Sequence, residues 1–176
     1  VESTVAGAGA ADVSRGAEKL VAGLAHFGFP VDGRTCLDVG ASTGGFTQVL
    51  LERGAAKVYA VDVGRGQLHP RLRDDVRVVS LEETDARVLG RAMIADPVEA
   101  VVTDVSFISL AKALGRALDL AIPGSWLIAL VKPQFEVGRA HVGKGGIVRD
   151  EARRLAAVDD VGAWLDGIGW RVAGHT

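Results

Sequence analysis

Four ionisable residues stand where short apolar runs of the sequence end: Asp38, Asp62, Asp104 and Lys132. The run LIALV leads directly into Lys132 and a proline, although the charge of a lysine is costly to remove from water. If these runs are parallel strands, their carboxyl ends share one edge of a sheet, which is where ligands bind in open α/β sheets. One such residue could simply reach water, but four at the same edge predict a site.

The stretch LDVGASTGGF follows the first apolar run and has the composition of a turn that holds a nucleoside cofactor. Its glycines would allow the backbone to approach a ligand, and its hydroxyl residues could cap the next helix or bond the ligand. These residues are Gly40, Ser42, Thr43, Gly44 and Gly45. Asp62 lies 24 residues after Asp38, where an acid would hold a ribose diol.

Two kinds of cofactor compete for this stretch. A dinucleotide site favours G-x-G-x-x-G, whereas the sequence here is G-A-S-T-G-G. A carboxylate at Asp38 would repel a pyrophosphate but would attract the cationic head of S-adenosylmethionine. The pattern therefore favours S-adenosylmethionine over a nicotinamide or flavin cofactor, and a glycine-rich turn without a ligand remains the structural alternative.

A second group of residues could carry a proton transfer. Asp104 and Lys132 end neighbouring predicted strands, which lie roughly 4.8 Å apart in a sheet, and Lys19 lies in the first predicted helix. A ribose hydroxyl that attacks a methyl group must lose its proton, and a neutral lysine could take it. The ordinary pKa of a lysine is about 10.4, and burial or a second cation such as Lys19 would lower it. A structural salt bridge between Lys132 and Asp104 is the alternative.

The acceptor atom is also indicated by the sequence. The fourth strand ends in D-V-S-F rather than in the D/N-P-P-Y/F of adenine or cytosine methylases, and Cys36 lies within a predicted strand. An oxygen acceptor is therefore favoured over a base nitrogen or carbon.

The glycine-rich segment 138–145 ends in G-K-G and lacks the hydroxyl residue of a phosphate-binding NTPase loop. We interpret it as a basic loop over the substrate, with Arg139, Lys144 and Arg149 as candidate phosphate contacts.

The elements that must position these residues are short strands that alternate with helices. The apolar runs predict strands at 35–39, 57–62, 76–80, 99–104, 126–132 and 169–174. The helical patterns lie at 17–27, 44–54, 67–73, 84–94, 109–121 and 150–166. This alternation predicts a Rossmann-like α/β fold, with a mostly parallel sheet and helices on both faces. A turn is predicted at PGSW, before the fifth strand.

Length and composition fit one domain. The chain has 176 residues, is 48% hydrophobic and has a mean hydropathy of +0.24, which excludes a disordered protein. No apolar run reaches the roughly 18 residues of a membrane span. One cysteine excludes disulfides and predicts a reducing, cytoplasmic setting. Residues 1–12 are predicted to be a flexible lead-in rather than a signal peptide, and residues 13–176 the domain.

Four segments of the chain carry a family resemblance: SRGAEKL, LDVGASTGGFTQVLLERGAAKVYAVDVGRGQL, TDVSFISL and VKPQFEVGRAHVGKGGIVRD. They are similar to the TlyA (hemolysin A) family of ribosomal-RNA 2′-O-methyltransferases, relatives of the FtsJ-type enzymes. The resemblance implies a class I methyltransferase fold, S-adenosylmethionine as donor, a cytidine ribose as acceptor, and ribosomal RNA or ribosomal subunits as partner. It also implies a Lys-Asp-Lys-Glu catalytic set, in which Lys19, Asp104 and Lys132 match the first three members.

The roles of the cofactor-site residues are a hypothesis from the residues themselves. Asp38, Gly40, Ser42 and Gly44 would shape the methionine end, and Asp62 would take the ribose. Asp85 would lie near the adenine, with an acid at the start of a helix as the structural alternative. The acid of the catalytic set belongs to a G-N-x-E motif that this chain does not contain, and Glu136 matches a different position. An S4-type RNA-binding domain is also missing. We therefore expect the catalytic core of a longer protein, with the last strand of the sheet absent.

Two other function classes stay open at this point. A cytolysin, which the hemolysin name suggests, would need amphipathic or membrane-spanning segments, and the sequence shows no convincing one. A catalytically idle RNA-binding module would keep the basic loop and lose methyl transfer.

Overall fold

A five-stranded parallel sheet forms the centre of the computed structural model, which describes residues 14–176. The strands are β1 (Thr35–Val39), β2 (Lys57–Val61), β3 (Val78–Leu81), β4 (Val98–Thr103) and β5 (Ala121–Ala129). Their spatial order is β3-β2-β1-β4-β5, and each neighbouring pair is parallel. The predicted Rossmann-like α/β fold is confirmed. The predicted lead-in, 1–12, lies outside the described residues.

Helices cover both faces of this sheet. They are α1 (Gly16–Phe27), α2 (Gly45–Glu52), α3 (Pro70–Arg73), α4 (Leu110–Asp119), α5 (Pro133–Glu136) and α6 (Glu151–Gly167), with short 3-10 turns at Ala86–Val88 and Arg139–His141. One core contains Leu20 and Leu50 from α1 and α2, and the other contains Leu114 and Val161 from α4 and α6. Because both faces are covered, the central strands are apolar nearly throughout instead of alternating.

The ends of three strands lie at one level. Val39 at the end of β1 is in register with Val61 of β2 and with Thr103 of β4. The chain leaves β1 for β2 on one side, and β4 returns on the other side, so this is the switch point where a crevice opens in such sheets. The residue after each strand therefore emerges into the same crevice.

Two predicted elements are wrong. The predicted helix 84–94 is replaced by a 3-10 turn at Ala86–Val88, which the Asp85 side chain caps, and by a separate turn at 90–94. Gly90 between them disfavours a continuous helix. The predicted strand 169–174 does not form. No strand among the described residues lies beside it, and a strand needs a partner for its backbone groups.

The predicted PGSW turn lies inside β5. Four residues of β5 lie between Ala121 and Trp126, opposite a single residue of β4, so the segment bulges out of the ladder. Ser125 Oγ holds this bulge by hydrogen bonds to the carbonyl oxygens of Ile122 (2.6 Å) and Val98 (2.9 Å). Beyond the bulge the strand ends at Ala129, and not at Lys132 as predicted.

Replacing Gly44 with alanine is expected to destabilise the fold. Gly44 has a φ of 103°, and a Cβ there would overlap the Leu72 side chain. Backbone strain and overpacking together predict a loss of about 3 kcal/mol in the free energy of unfolding. Gly28→Ala is the matched control, since its φ is 66° but nothing lies within 4 Å of its Cβ position; it should cost about 1 kcal/mol. Equal losses in urea titrations of the two variants would contradict the packing role.

Candidate active site

A cavity of about 600 Å³ opens at the carboxyl edge of the sheet. This volume lies within the usual range for small-molecule sites. Eight of the predicted site residues line it: Gly40, Ser42, Thr43, Gly45, Asp62, Asp85, Asp104 and Lys132. Asp38, Gly44 and Lys19 are not in the lining. Most of the residues predicted from their positions at or after strand ends therefore surround one cavity.

Lys132 and Asp104 form an ion pair in this cavity. The Nζ of Lys132 lies 2.6 Å from Oδ1 of Asp104, and the two side chains are 22% and 25% exposed. The ammonium also donates a hydrogen bond to Oγ of Ser106 at 2.9 Å. Asp104 Oδ1 is shielded from water and outside hydrogen-bond geometry, so its contact with the ammonium is electrostatic and not a directed bond. The pair leaves the ammonium nitrogen at the wall of the cavity.

Glu136 fixes the segment that carries Lys132. Leu110, the first residue of α4, donates its backbone N–H to Oε1 of Glu136 at 2.8 Å. Burial raises the pKa of this carboxyl, and the Leu110 bond opposes the shift. Glu136 therefore connects α5, which begins just after Lys132, to α4, which begins a few residues after Asp104.

Lys19 lies on an exposed position of α1, and its side chain makes no ion pair or hydrogen bond with residues 14–176. The start of its helix nevertheless faces the ion pair, since a Cβ on Gly16 would lie 3.6 Å from Oδ2 of Asp104. Lys19 is three residues further along, on the same side of the helix. Its role as a second cation stays a prediction.

Asp62 organises two loops of the cavity. Its Oδ2 accepts the backbone N–H of Ser42 at 2.8 Å, and its Oδ1 accepts that of Gly64 at 2.7 Å. Each carboxylate oxygen has a further lone pair, so the group can still accept hydrogen bonds from a ligand. The contact of Asp62 with a ribose diol stays a prediction.

Asp85 is occupied by a neighbouring side chain. Its Oδ2 lies 2.6 Å from Nη2 of Arg87, and its Oδ1 accepts the backbone N–H of Arg87. These hydrogen bonds lower the pKa of Asp85 to about 2. The acid therefore caps the turn at Ala86–Val88, and its predicted place near an adenine stays a prediction.

Asp38 is fully buried beneath the cavity, within β1 and one residue before its end. Its Oδ2 accepts a hydrogen bond from the Thr47 hydroxyl at 2.7 Å, whereas its Oδ1 has no partner among the described residues. Burial raises the pKa of Asp38 to about 7; the Thr47 bond opposes this, and the nearby charges of Asp104 and Asp62 add to it. A cation above the loop would favour the ionised carboxylate.

The glycines of the loop make room mainly for the protein itself. A Cβ on Gly40 would lie 2.8 Å from Cγ1 of Val105, and a Cβ on Gly45 would overlap the Ser14 hydroxyl. Gly44 faces the Leu68 and Leu72 side chains. Their expected role, close approach to a ligand, is thus accompanied by a packing role that the sequence did not indicate.

Two further residues shape the site and were not predicted. Glu82 follows β3 and accepts the backbone N–H groups of Gly66, Gln67 and Leu68, which lowers its pKa. It was an acid at a strand end, so the rule used for Asp62 could have found it. Phe107 is 91% exposed at the cavity, and no sequence pattern distinguishes it.

Backbone strain concentrates at this cavity. Three non-glycine residues of the described chain have positive φ angles: Ser42 (52°), Glu83 (50°) and Phe107 (64°). Ser42 and Phe107 line the cavity, and Glu83 precedes Thr84, which also lines it. Strained conformations of this kind persist at functional sites, where the surrounding structure holds them.

The basic loop, 138–149, follows α5 in the chain. Arg139, Lys144 and Arg149 are exposed and form no ion pair within the described part of the chain. Val148 is buried and anchors the loop. Three exposed cations on one loop, none of them in an ion pair within the described residues, suit a substrate that carries phosphates.

Comparison with known proteins shows which family the chain resembles. The family model of FtsJ-like methyltransferases matches residues 13–176. The chain is 52% identical over 162 residues to the 16S/23S rRNA (cytidine-2′-O)-methyltransferase TlyA of Mycobacterium tuberculosis, which covers 92% of this chain and 60% of that protein. It is 42% identical to Hemolysin A of Brachyspira hyodysenteriae, over 93% of this chain and 69% of that protein.

A solved structure shares the fold closely. A hemolysin-named protein from Streptococcus thermophilus superposes with a TM-score of 0.89 at 41% identity, over 94% of this chain and 60% of that one. This chain spans about 60% of the length of the Mycobacterium relative. Within residues 14–176, no helix combines the length and the apolar composition needed to cross a bilayer.

Asp38→Asn is expected to change how stability depends on pH. Because the folded state raises the pKa of Asp38 from 3.8 to about 7, the protonated carboxyl stabilises the fold at low pH, and this contribution is lost as pH rises to 7. Asparagine stays neutral and can still accept the Thr47 bond. From pH 5 to pH 8 the variant should gain on the order of 2 kcal/mol relative to the original chain. A difference between the two urea-unfolding free energies that does not vary with pH would refute the assignment.

Proposed function

Because the chain belongs to the FtsJ-like methyltransferase family, we propose that it methylates the 2′-hydroxyl of a cytidine ribose in ribosomal RNA, with S-adenosylmethionine as donor. The Lys132–Asp104 ion pair at the wall of the cavity carries this proposal. It places a lysine, which can accept a proton in its neutral form, beside a space that can hold a nucleoside. The substrate class named for the Mycobacterium relative supports the cytidine ribose as acceptor.

The residues of the cavity fit S-adenosylmethionine. When bound, this cofactor supplies an electrophilic methyl group on a sulfonium. The carboxylate of Asp62 would accept the ribose hydroxyls while it keeps the Ser42 and Gly64 loops in place. The buried Oδ1 of Asp38, which has no partner among the described residues, would respond to the positive charge of the methionine end. A pyrophosphate would meet carboxylates at the same positions.

Lys132 would act as the general base. In its neutral form it would take the proton of the ribose hydroxyl as that oxygen becomes nucleophilic. Asp104 would then stabilise the ammonium that results, and Ser106 would fix its direction through the bond it accepts from Nζ. Lys19 would favour the neutral form of Lys132 if its side chain turned toward Asp104.

Phe107 would hold the target base. Its ring is exposed at the cavity, and its positive φ fixes it there at a cost in backbone energy. The ring centroid of Phe135 lies 5.1 Å away and supports it. Single-stranded bases of RNA stack on exposed aromatic rings of this kind. A cytosine stacked on Phe107 would place its ribose near Lys132.

Ribosomal RNA, free or within a ribosomal subunit, would be the macromolecular partner. Arg139, Lys144 and Arg149 would contact its phosphates, which would make binding sensitive to salt. The chain would act in the cytoplasm, where ribosomes are assembled. Both Hemolysin A of Brachyspira hyodysenteriae and the similar Streptococcus thermophilus protein carry the hemolysin name, but the ion pair and the cavity favour methyl transfer over lysis.

Lys132→Ala is expected to abolish methyl transfer and leave cofactor affinity nearly unchanged. The substitution removes the proton acceptor and does not touch Asp62 or the loop it holds. Loss of a general base lowers the rate by about 10²- to 10⁴-fold. Incorporation of labelled methyl groups into ribosomal subunits measures methyl transfer, and calorimetric titration with S-adenosylmethionine measures cofactor affinity.

A matched control is Lys57→Ala. Lys57 also forms a 2.6 Å ion pair with an aspartate, but it lies at the amino end of β2, at the opposite edge of the sheet. It should transfer methyl groups at the original rate. Transfer by Lys132→Ala at the rate of this control would rule out Lys132 as the base.

A further inference from the structure

A second groove, of about 390 Å³, lies between α4 and the end of α6. Cationic and aromatic side chains line it together: Arg87, Lys112, Arg116, Trp164 and Trp170. It lies on the face of the sheet that α4 and α6 cover. None of the predicted site residues belongs to it.

The cations of α4 are not neutralised by the protein. Lys112 and Arg116 are four residues apart, so they project from the same side of the helix. Both are exposed, and neither forms an ion pair or hydrogen bond through its side chain within residues 14–176. Asp119 also lines the groove but pairs with neither. The groove therefore presents free positive charge.

Arg87 connects this groove to the active site, since it lines both cavities. Asp85 engages its Nε and Nη2 and holds the guanidinium in place. Its Nη1 has no partner among the described residues. Because α4 begins just after Phe107, the groove starts at the edge of the active site and follows α4 away from it.

The other wall of the groove is aromatic and open. Trp164 and Trp170 are half-buried and pack on the core beneath, and Ile168 beside them is 47% exposed. On the facing helix, Gly115 lines the groove, and a Cβ there would meet nothing within 4 Å. A glycine inside a helix lowers its stability, and here it leaves space between the cations and the indoles.

We propose that this groove binds the single-stranded RNA that flanks the target nucleotide, an inference that rests on the proposed function. Lys112 and Arg116 would contact phosphates, and the indoles would stack on bases. Proteins that bind single strands combine cations along the backbone with aromatic rings for the bases. An acidic peptide would use the cations and leave the indoles without a partner of matching chemistry.

The test measures binding of a labelled cytidine-rich oligoribonucleotide of about 12 nucleotides by fluorescence anisotropy at several salt concentrations. In Lys112→Gln/Arg116→Gln, the affinity at low salt should fall at least about tenfold, and the slope of log affinity against log salt should decrease by about 1.4. The matched control is Arg34→Gln/Arg53→Gln, which removes two charges at the opposite edge of the sheet and should change neither value by more than about twofold.

Gly115→Leu tests the groove without changing its charge. The added side chain enters open space, so the fold should be retained while RNA is excluded. Tryptophan fluorescence locates the bound RNA, because Trp126 is buried under Phe29 and the signal should report Trp164 and Trp170. RNA should quench this emission in the original chain and quench it less in both groove variants. Cofactor affinity should stay the same in all of them.

The outcomes separate this proposal from the proposed function. If the Lys112→Gln/Arg116→Gln variant kept its RNA affinity and its salt slope, the proposal that the groove binds RNA would be wrong. RNA binding without tryptophan quenching would also contradict it. Heparin that competes with RNA at equal affinity and causes no quenching would show a general polyanion surface, which also overturns it. Loss of methyl transfer with RNA binding and quenching intact would remove the proposed function and leave the groove in place.

Discussion

The parallel register of three central strands is the constraint on which the rest of the site depends. Val39 lies level with both Val61 and Thr103, so the residues that follow these strands enter one crevice. As a result, Asp62 accepts the backbone N–H of Ser42 in the loop after β1. Asp104, after β4, forms an ion pair with Lys132, which follows the neighbouring strand β5. A shift of one residue in any of these strands would reverse every side chain and separate the groups. The hydrophobic cores on both faces fix this register.

Charge is the property of the crevice that would determine which ligand it binds. Asp38, Asp62 and Asp104 lie close enough that the charges of the latter two raise the pKa of the first. Such an arrangement is unfavourable by itself, and it is relieved by Lys132 on one side and would be relieved by a cationic cofactor on the other. The basic loop and the α4 groove carry the opposite charge outside the crevice. Under the two proposals, the surface would separate a site for a cationic cofactor from a path for a polyanion.

The sequence predicted the central sheet and most of the site because both follow local rules. The apolar runs before Asp62, Asp104 and Lys132 predicted both the strands and the carboxyl edge of the sheet where these residues lie. The strand at 169–174 was wrong because a strand requires a neighbour, which the apolar pattern of a segment does not show. Gly44 was assigned to ligand approach, although Leu72 fills the space beside it. Phe107 was missed because its exposure and backbone angle arise only from the folded loop.

Calorimetric titration with S-adenosylmethionine, S-adenosylhomocysteine and NAD tests the central claim most directly, since that claim is a nucleoside site for a cationic cofactor at the level strand ends. The chain should bind the first two in the micromolar range and should not bind NAD. In Asp62→Ala their affinity should fall at least about tenfold, which is about 1.4 kcal/mol. Binding of NAD in place of S-adenosylmethionine, or full affinity in Asp62→Ala, would contradict the account.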